Sequence, residues 1–246
     1  MSRSPPQLRI ALLLGVAGAW ATALLFPYLL ALKPGALAGL PVTPGVLMLA
    51  QSLQAGVIVF LLAWAGLKLG ATSGLGAPWL AAWLYARARP AAANWPLAIA
   101  LGASAAVTVL VAIAAFGAPL EAIRTPALWK GLLAAPYGAI VEETACRVFL
   151  MGSVAWLLGR CCAGEAKPWI MPAAIVVAAL LFGAGHLPAA SQLAPLTAAI
   201  VVRVLAYNAI AGLAFGWLYW KRGLEHAVLA HLCADLVLHV AAPAMA

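Results

Sequence analysis

Apolar residues run through this chain in long unbroken stretches, and the polar residues gather between them. An apolar helix needs roughly 20 residues to cross a hydrocarbon layer. Measured against that length, the pattern predicts seven spanning helices, at 9–32, 44–67, 94–117, 128–158, 168–187, 195–220 and 224–244. Proline and glycine punctuate the gaps, in KPGALAGLPVTPG, GATSGLGAP, RARPAAANWP, FGAP and AGEAKP, as befits residues that end helices and make turns. The stretch 77–89, APWLAAWLYARAR, is too short to span. Its tryptophans and basic end predict a helix lying in the interface, and one further short or re-entrant helix would bring the count to eight. The N-terminal run starts like a signal peptide but stays apolar to Leu32, well beyond the 7–15 residues of an h-region. It reads as the first span. No internal repeat is visible, so residues 1–246 read as a single membrane domain.

Composition sharpens this into a fold class. Of 246 residues, 66% are hydrophobic and 8% charged, against roughly 25% charged in a soluble domain. The expectation is an all-α polytopic helical bundle in a lipid bilayer, and the alanine-rich composition hints at a bacterial cytoplasmic membrane. The net charge of +8 would point to nucleic acid in a soluble protein. Here the basic residues flank apolar runs and no basic patch is interleaved with aromatics, so no nucleic-acid partner is expected. With the N-terminus inside, the cytoplasmic segments hold Arg3, Arg9, Lys68, Arg87, Arg89, Arg160, Lys167, Lys221 and Arg222, and the other side holds Lys33, Arg124 and Lys130. Nine against three is the bias that sets orientation in bilayers. Cys146, Cys161, Cys162 and Cys233 form no metal-ligand spacing and read as small fillers and reduced thiols.

Several ionisable groups fall inside the predicted spans: Glu142, Glu143, Asp235, Arg147, Arg203, His186, His231 and His239. Each charge at mid-helix costs about 2.5–3.5 kcal/mol on the insertion scale, so such residues are functional candidates. Glu143 and Arg147 are four apart with the acid first, the favoured order for an intrahelical pair. Glu142 is rotated about 100° from that face and has no basic residue three or four positions away. It is a carboxylate left for another task. Phe182 and His186 share one face in LLFGAGHLP, where Gly183 and Gly185 would admit another backbone. His231, Asp235 and His239 repeat every fourth residue along one face of the last helix. Such a polar stripe must face the bundle interior, a partner or a water-filled cavity, most simply one shared interior site. That site has the parts of a hydrolase: a carboxylate base, a histidine to position or protonate, and donors for an oxyanion. HExxH and GxSxG are absent, and Ser104 and Ser153 have no base nearby.

EETACR (Glu142 to Arg147), FGAGH (Phe182 to His186) and HLCAD (His231 to Asp235), in that order and on separate apolar helices, resemble the EExxxR, FxxxH and HxxxN/D motifs of the CPBP family. These are the CAAX-protease and bacteriocin-processing membrane proteins, and the likeness extends over residues 94–242. The resemblance implies an intramembrane endopeptidase with a water-filled active site, acting on a membrane-anchored protein or peptide without a cofactor or metal. It implies Glu142 as general base, His186 as a second holder of the water, His231 and Asp235 at the oxyanion, and Glu143 with Arg147 in support. Two positions depart from the family pattern: Val148 stands where glycine is common, and Asp235 where the prenyl-protein proteases have asparagine. An ionised Asp235 cannot donate to an oxyanion. It is either protonated and donates, or it holds His231 as the cation, and the shared helix face favours the second. Two other readings are a zinc site built from Glu142, His186 and His231, a ligand set that suits catalytic zinc, and a non-proteolytic immunity factor, scaffold or proton-coupled transporter.

Overall fold

The computed structural model describes residues 7–35, 37–39, 41–86, 88–90, 93–118, 126–162 and 167–245, which carry helices and no strand. Helices α1 (Gln7–Leu32) and α2 (Pro44–Gly70) form an antiparallel hairpin in which Gln7 donates its side-chain amide to the Leu67 carbonyl. After a 3₁₀ turn, Ala71–Ser73, comes the short α3 (Pro78–Leu84), then α4 (Trp95–Phe116). One continuous helical column follows, made of α5 (Leu128–Tyr137), two π-helical stretches, Gly138–Glu142 and Thr144–Met151, and α6 (Gly152–Cys161). The chain continues through α7 (Ile170–Gly185), α8 (Leu187–Ser191) and α9 (Ala198–Arg222). It ends in α10 (Leu224–Leu236), a π-helical stretch Val237–Ala241, and α11 (Ala242–Ala244).

Among the described residues, six helices are long and apolar enough to cross a membrane, where the sequence pattern predicts seven spans. The missing one is 128–158. That column is present, but it is divided between α and π geometry and carries Glu142, Glu143 and Arg147. The protein is a polytopic all-α membrane bundle. Its lipid-facing surface shows in the exposed apolar side chains, among them Val16, Leu53, Val57, Val111 and Val202. Of the predicted interface stretch, Pro78–Leu84 is helical with Trp83 71% exposed, and Arg87 lies outside the described residues, as do Arg3, Glu121, Arg124 and Glu165.

Packing around the motif column depends on missing side chains. A Cβ on Gly66 of α2 would strike the backbone carbonyl of Val148, and one on Gly102 of α4 would strike that of Ala230 in α10. The valine at 148 is fully buried and is accommodated because the facing helix supplies the glycine. Gly183 packs against the backbone of Leu205 in α9, as expected, whereas Gly185 has nothing near its Cβ position. Only the first of these two glycines serves helix approach.

Two ends of the bundle can be told apart. At one end Leu224 N–H donates to Gly76, Glu225 accepts from the α3 backbone at Leu80 (2.7 Å), and His226 stacks on Trp95 (ring centroids 4.3 Å). At the other, Lys33 donates to Gln192 (3.4 Å) and Arg203 to the Ala118 carbonyl (3.1 Å).

Candidate active site

The three motifs converge from three helices. The π-helical turns Gly138–Glu142 and Thr144–Met151 place consecutive glutamates in opposite environments: Glu142 keeps 25% of its side chain exposed, and Glu143 none. π turns inside α-helices recur at functional sites, and here they flank the two acids. Gly138, one turn before Glu142, is required by the approach of α10. A Cβ there would lie 2.5 Å from Asp235 Oδ2 and 2.8 Å from His231 Nε2.

Glu143 holds two partners. Its Oε2 is 3.2 Å from Arg147 Nε, and its Oε1 accepts from His231 Nδ1 at 2.8 Å. All of Arg147 is buried; its guanidinium lies 5.2 Å from the Phe182 ring centre and 5.8 Å from that of Phe215. Aromatic faces partly replace the water that a buried cation has lost. Phe215 also stacks on the His231 ring (4.7 Å), and Phe182 meets both His186 (4.8 Å) and His231 (5.8 Å) edge-on. These two phenylalanines pack against Arg147, His186 and His231.

Glu142 faces two imidazoles. His186 Nε2 lies 3.9 Å from Oε1, and His231 Nε2 lies 3.8 Å from Oε2. His186 sits at the junction of α7 and α8, 36% exposed, with Nδ1 donating to the Phe182 carbonyl (2.9 Å). A carbonyl only accepts, so Nδ1 carries the proton and Nε2 is turned toward Glu142. Asp235 Oδ1 is 3.7 Å from His231 Nε2 and 4.0 Å from His239 Nε2. The helical spacing makes Asp235 the carboxylate that holds His231, but the short contact belongs to Glu143. The reason is tertiary: α10 packs against the π turn, and His231 Nδ1 points along that interface.

These groups line a cavity of about 400 Å³. Its lining mixes the polar groups Glu142, His186, His231 and Asp235 with apolar side chains of α1 and α4, Leu25, Val109, Leu110 and Ile113. All four residues assigned to chemistry from the sequence are brought together, and Glu143 and Arg147 stand behind them. Sequence reasoning missed Tyr28, Tyr137, Tyr207 and Asn208, which also line the cavity. Tyr28 OH lies 3.3 Å from His239 Nδ1, and Tyr207 OH bridges the carbonyls of Ala112 (3.2 Å) and Gly117 (2.8 Å). Lone tyrosines in helices carry no periodic signal. Arg203 lies within the spanning helix α9, as its place in the apolar pattern predicts, but it donates to the Ala118 carbonyl just beyond the end of α4 and does not line the cavity. No group of three His, Cys, Asp or Glu among the described residues is placed to hold a metal ion. A larger cavity, about 540 Å³, at the opposite end of the bundle contains none of the motif residues.

Residues 124–237 match the family model described as Type II CAAX prenyl endopeptidase Rce1-like. No curated protein and no solved structure matches the chain.

Proposed function

Since residues 124–237 match the family model of the Rce1-like type II CAAX prenyl endopeptidases, we propose that this protein cleaves a membrane-associated protein or peptide with a water activated by Glu142. Residues 1–246 act as a single domain in this reading, the N-terminus lies in the cytoplasm, and the membrane is a bacterial inner membrane. The observation that carries the mechanism is the different treatment of the two adjacent glutamates. Glu143 is buried and doubly engaged, whereas Glu142 is part-exposed in the cavity and flanked by two imidazole Nε2 atoms at 3.8 and 3.9 Å.

Separations of that size exceed a direct hydrogen bond and suit a bridging water. A water between Glu142 Oε1 and His186 Nε2 donates one proton to each and presents its free lone pair to a peptide carbonyl. As the water attacks, its proton passes to Glu142, and the carbonyl oxygen becomes an anion. His231 stands beside Glu142 with Nδ1 donating to Glu143; held as the imidazolium between Glu143 and Asp235, it also donates from Nε2 to that anion. Asp235, 3.7 Å away, keeps Nε2 oriented. Collapse of the tetrahedral species breaks the C–N bond, and Glu142 returns its proton to the leaving amine. Preorganised donors at a developing oxyanion are commonly the largest single term in such a reaction.

The test compares membrane proteomes of cells carrying the wild-type chain or Glu142→Gln. The expected result is at least one membrane-associated protein that keeps an uncut end only in the variant. A variant proteome indistinguishable from wild type would sink the reading.

A further inference from the structure

Most of the described basic residues lie at the end of the bundle away from the Glu142 cavity. Around the 400 Å³ cavity, Tyr28 lies one turn before the end of α1, and His186 closes α7; Val109, Leu110 and Ile113 come from the C-terminal half of α4, and Tyr207 and Asn208 from the N-terminal half of α9. That end is the one tied by the Lys33–Gln192 and Arg203–Ala118 hydrogen bonds. The other end collects the start of α1, the end of α2, the end of α9 and the start of α10, joined through Gln7–Leu67 and Leu224–Gly76.

Among the described residues, Arg9, Lys68, Arg89, Arg160, Lys167, Lys221 and Arg222 lie at that second end, and Lys33, Lys130 and Arg203 at the cavity end. Seven against three orients the second end toward the cytoplasm. Cation–tryptophan pairs mark a headgroup layer at each end: Lys68 over Trp64 (3.6 Å), Arg160 over Trp156 (5.7 Å) and Lys221 over Trp220 (3.4 Å) at the second end, and Lys130 over Trp129 (5.4 Å) at the cavity end.

We infer that the Glu142 cavity opens on the extracytoplasmic side, and that its substrate is an exported protein held by an apolar span and cut in the linker at the outer end of that span. The inference rests on the endopeptidase reading and adds the side of the membrane and the substrate class. Size decides which part of a substrate enters. One helical turn with its side chains, ~10–12 Å across and ~5.4 Å tall, fills roughly 400–600 Å³, as much as the whole cavity. A substrate's spanning helix therefore stays outside, and an extended juxtamembrane segment of a few residues enters. The apolar lining from α1 and α4 (Leu25, Leu110, Ile113) receives an apolar side chain next to the scissile bond, and Glu142, His186 and His231 meet the carbonyl. Cytoplasmic proteins carrying a lipidated C-terminus would meet the wrong face of the bundle.

Two measurements test this on the full-length protein in membranes. In the first, Ala38→Cys, in the exposed α1–α2 connection at the cavity end, is compared with native Cys161, exposed at the other end. Both are treated with a membrane-impermeant maleimide, and labelling is read residue by residue by peptide mass spectrometry. The thiol introduced by Ala38→Cys should label in intact cells or spheroplasts, and Cys161 only in inverted vesicles; the reverse pattern overturns the inference. In the second, protein ends that depend on Glu142 are mapped onto their substrates. They should fall on the extracytoplasmic flank of an apolar span. Ends on the cytoplasmic flank would overturn this inference and leave the endopeptidase reading intact, whereas no Glu142-dependent end would remove both.

Discussion

At the residue scale, two neighbouring glutamates make the sharpest contrast. Replacing Glu142 by Gln removes a part-exposed charge without changing shape, so cleavage should be lost while detergent stability stays near wild type. Replacing Glu143 by Gln strands a fully buried Arg147 and unties His231 Nδ1. Breaking a buried pair typically costs about 3–5 kcal/mol, so this variant should melt at a clearly lower temperature in detergent and lose activity with it. Equal melting of the two variants would contradict the division of labour. Asp235 gives a second contrast. Glu143 makes the short contact to His231, and Asp235 stands 3.7 Å off; an amide can fill that place. Asp235→Asn should keep cleavage within a few-fold, and Asp235→Ala should lower it by up to about 10²-fold, because His231 Nε2, the oxyanion donor, loses the group that orients it. Rates measured on one substrate decide it: an alanine variant as fast as wild type would remove Asp235 from the chemistry.

At the element scale, the motif column works because α10 lies close against its π turn. A methyl group on Gly138 would press directly on Asp235 and His231. Gly138→Ala should therefore depress cleavage more than it depresses stability. Gly102→Ala, which would drive a Cβ into the Ala230 carbonyl at the α4–α10 crossing, should destabilise the fold by the ~1–3 kcal/mol of an overpacked contact. Gly185→Ala, with open space at its Cβ, should leave both properties near wild type. Melting and cleavage of the three variants side by side separate local site geometry from helix packing. The same geometry explains Val148: the glycine that the crossing with α2 requires is Gly66, on the other helix.

At the scale of the whole molecule, the ionisable groups of the three motifs form one connected cluster inside a bundle whose outer surface is apolar. The proposed hydrolysis by Glu142 and its imidazoles needs no transition metal. Purified active protein should therefore keep its cleavage rate after dialysis against a strong chelator, and mass spectrometry should find less than stoichiometric zinc. Activity lost on chelation and restored by zinc would instead make Glu142, His186 and His231 ligands. The opposed placement of basic residues and cavity is also a property of the whole chain, because no single helix reports it.

Much of this was legible in the one-dimensional pattern. Long apolar runs dictate membrane helices because hydrocarbon leaves backbone groups no partner except each other, and charged residues inside such runs betray a site because their insertion is costly. Spacing alone paired Glu143 with Arg147 and left Glu142 free, since i,i+4 neighbours share a face along one helix. What spacing cannot carry is any contact between helices. The 2.8 Å bond from His231 to Glu143, the clamp of Phe182 and Phe215 around Arg147, and the tyrosines of the cavity wall all join residues from distant parts of the chain. The π turns are equally hidden, because a run of apolar residues looks the same in either helical geometry. Only packing against α10, across a glycine, decides that Glu142 faces the cavity and Glu143 the core.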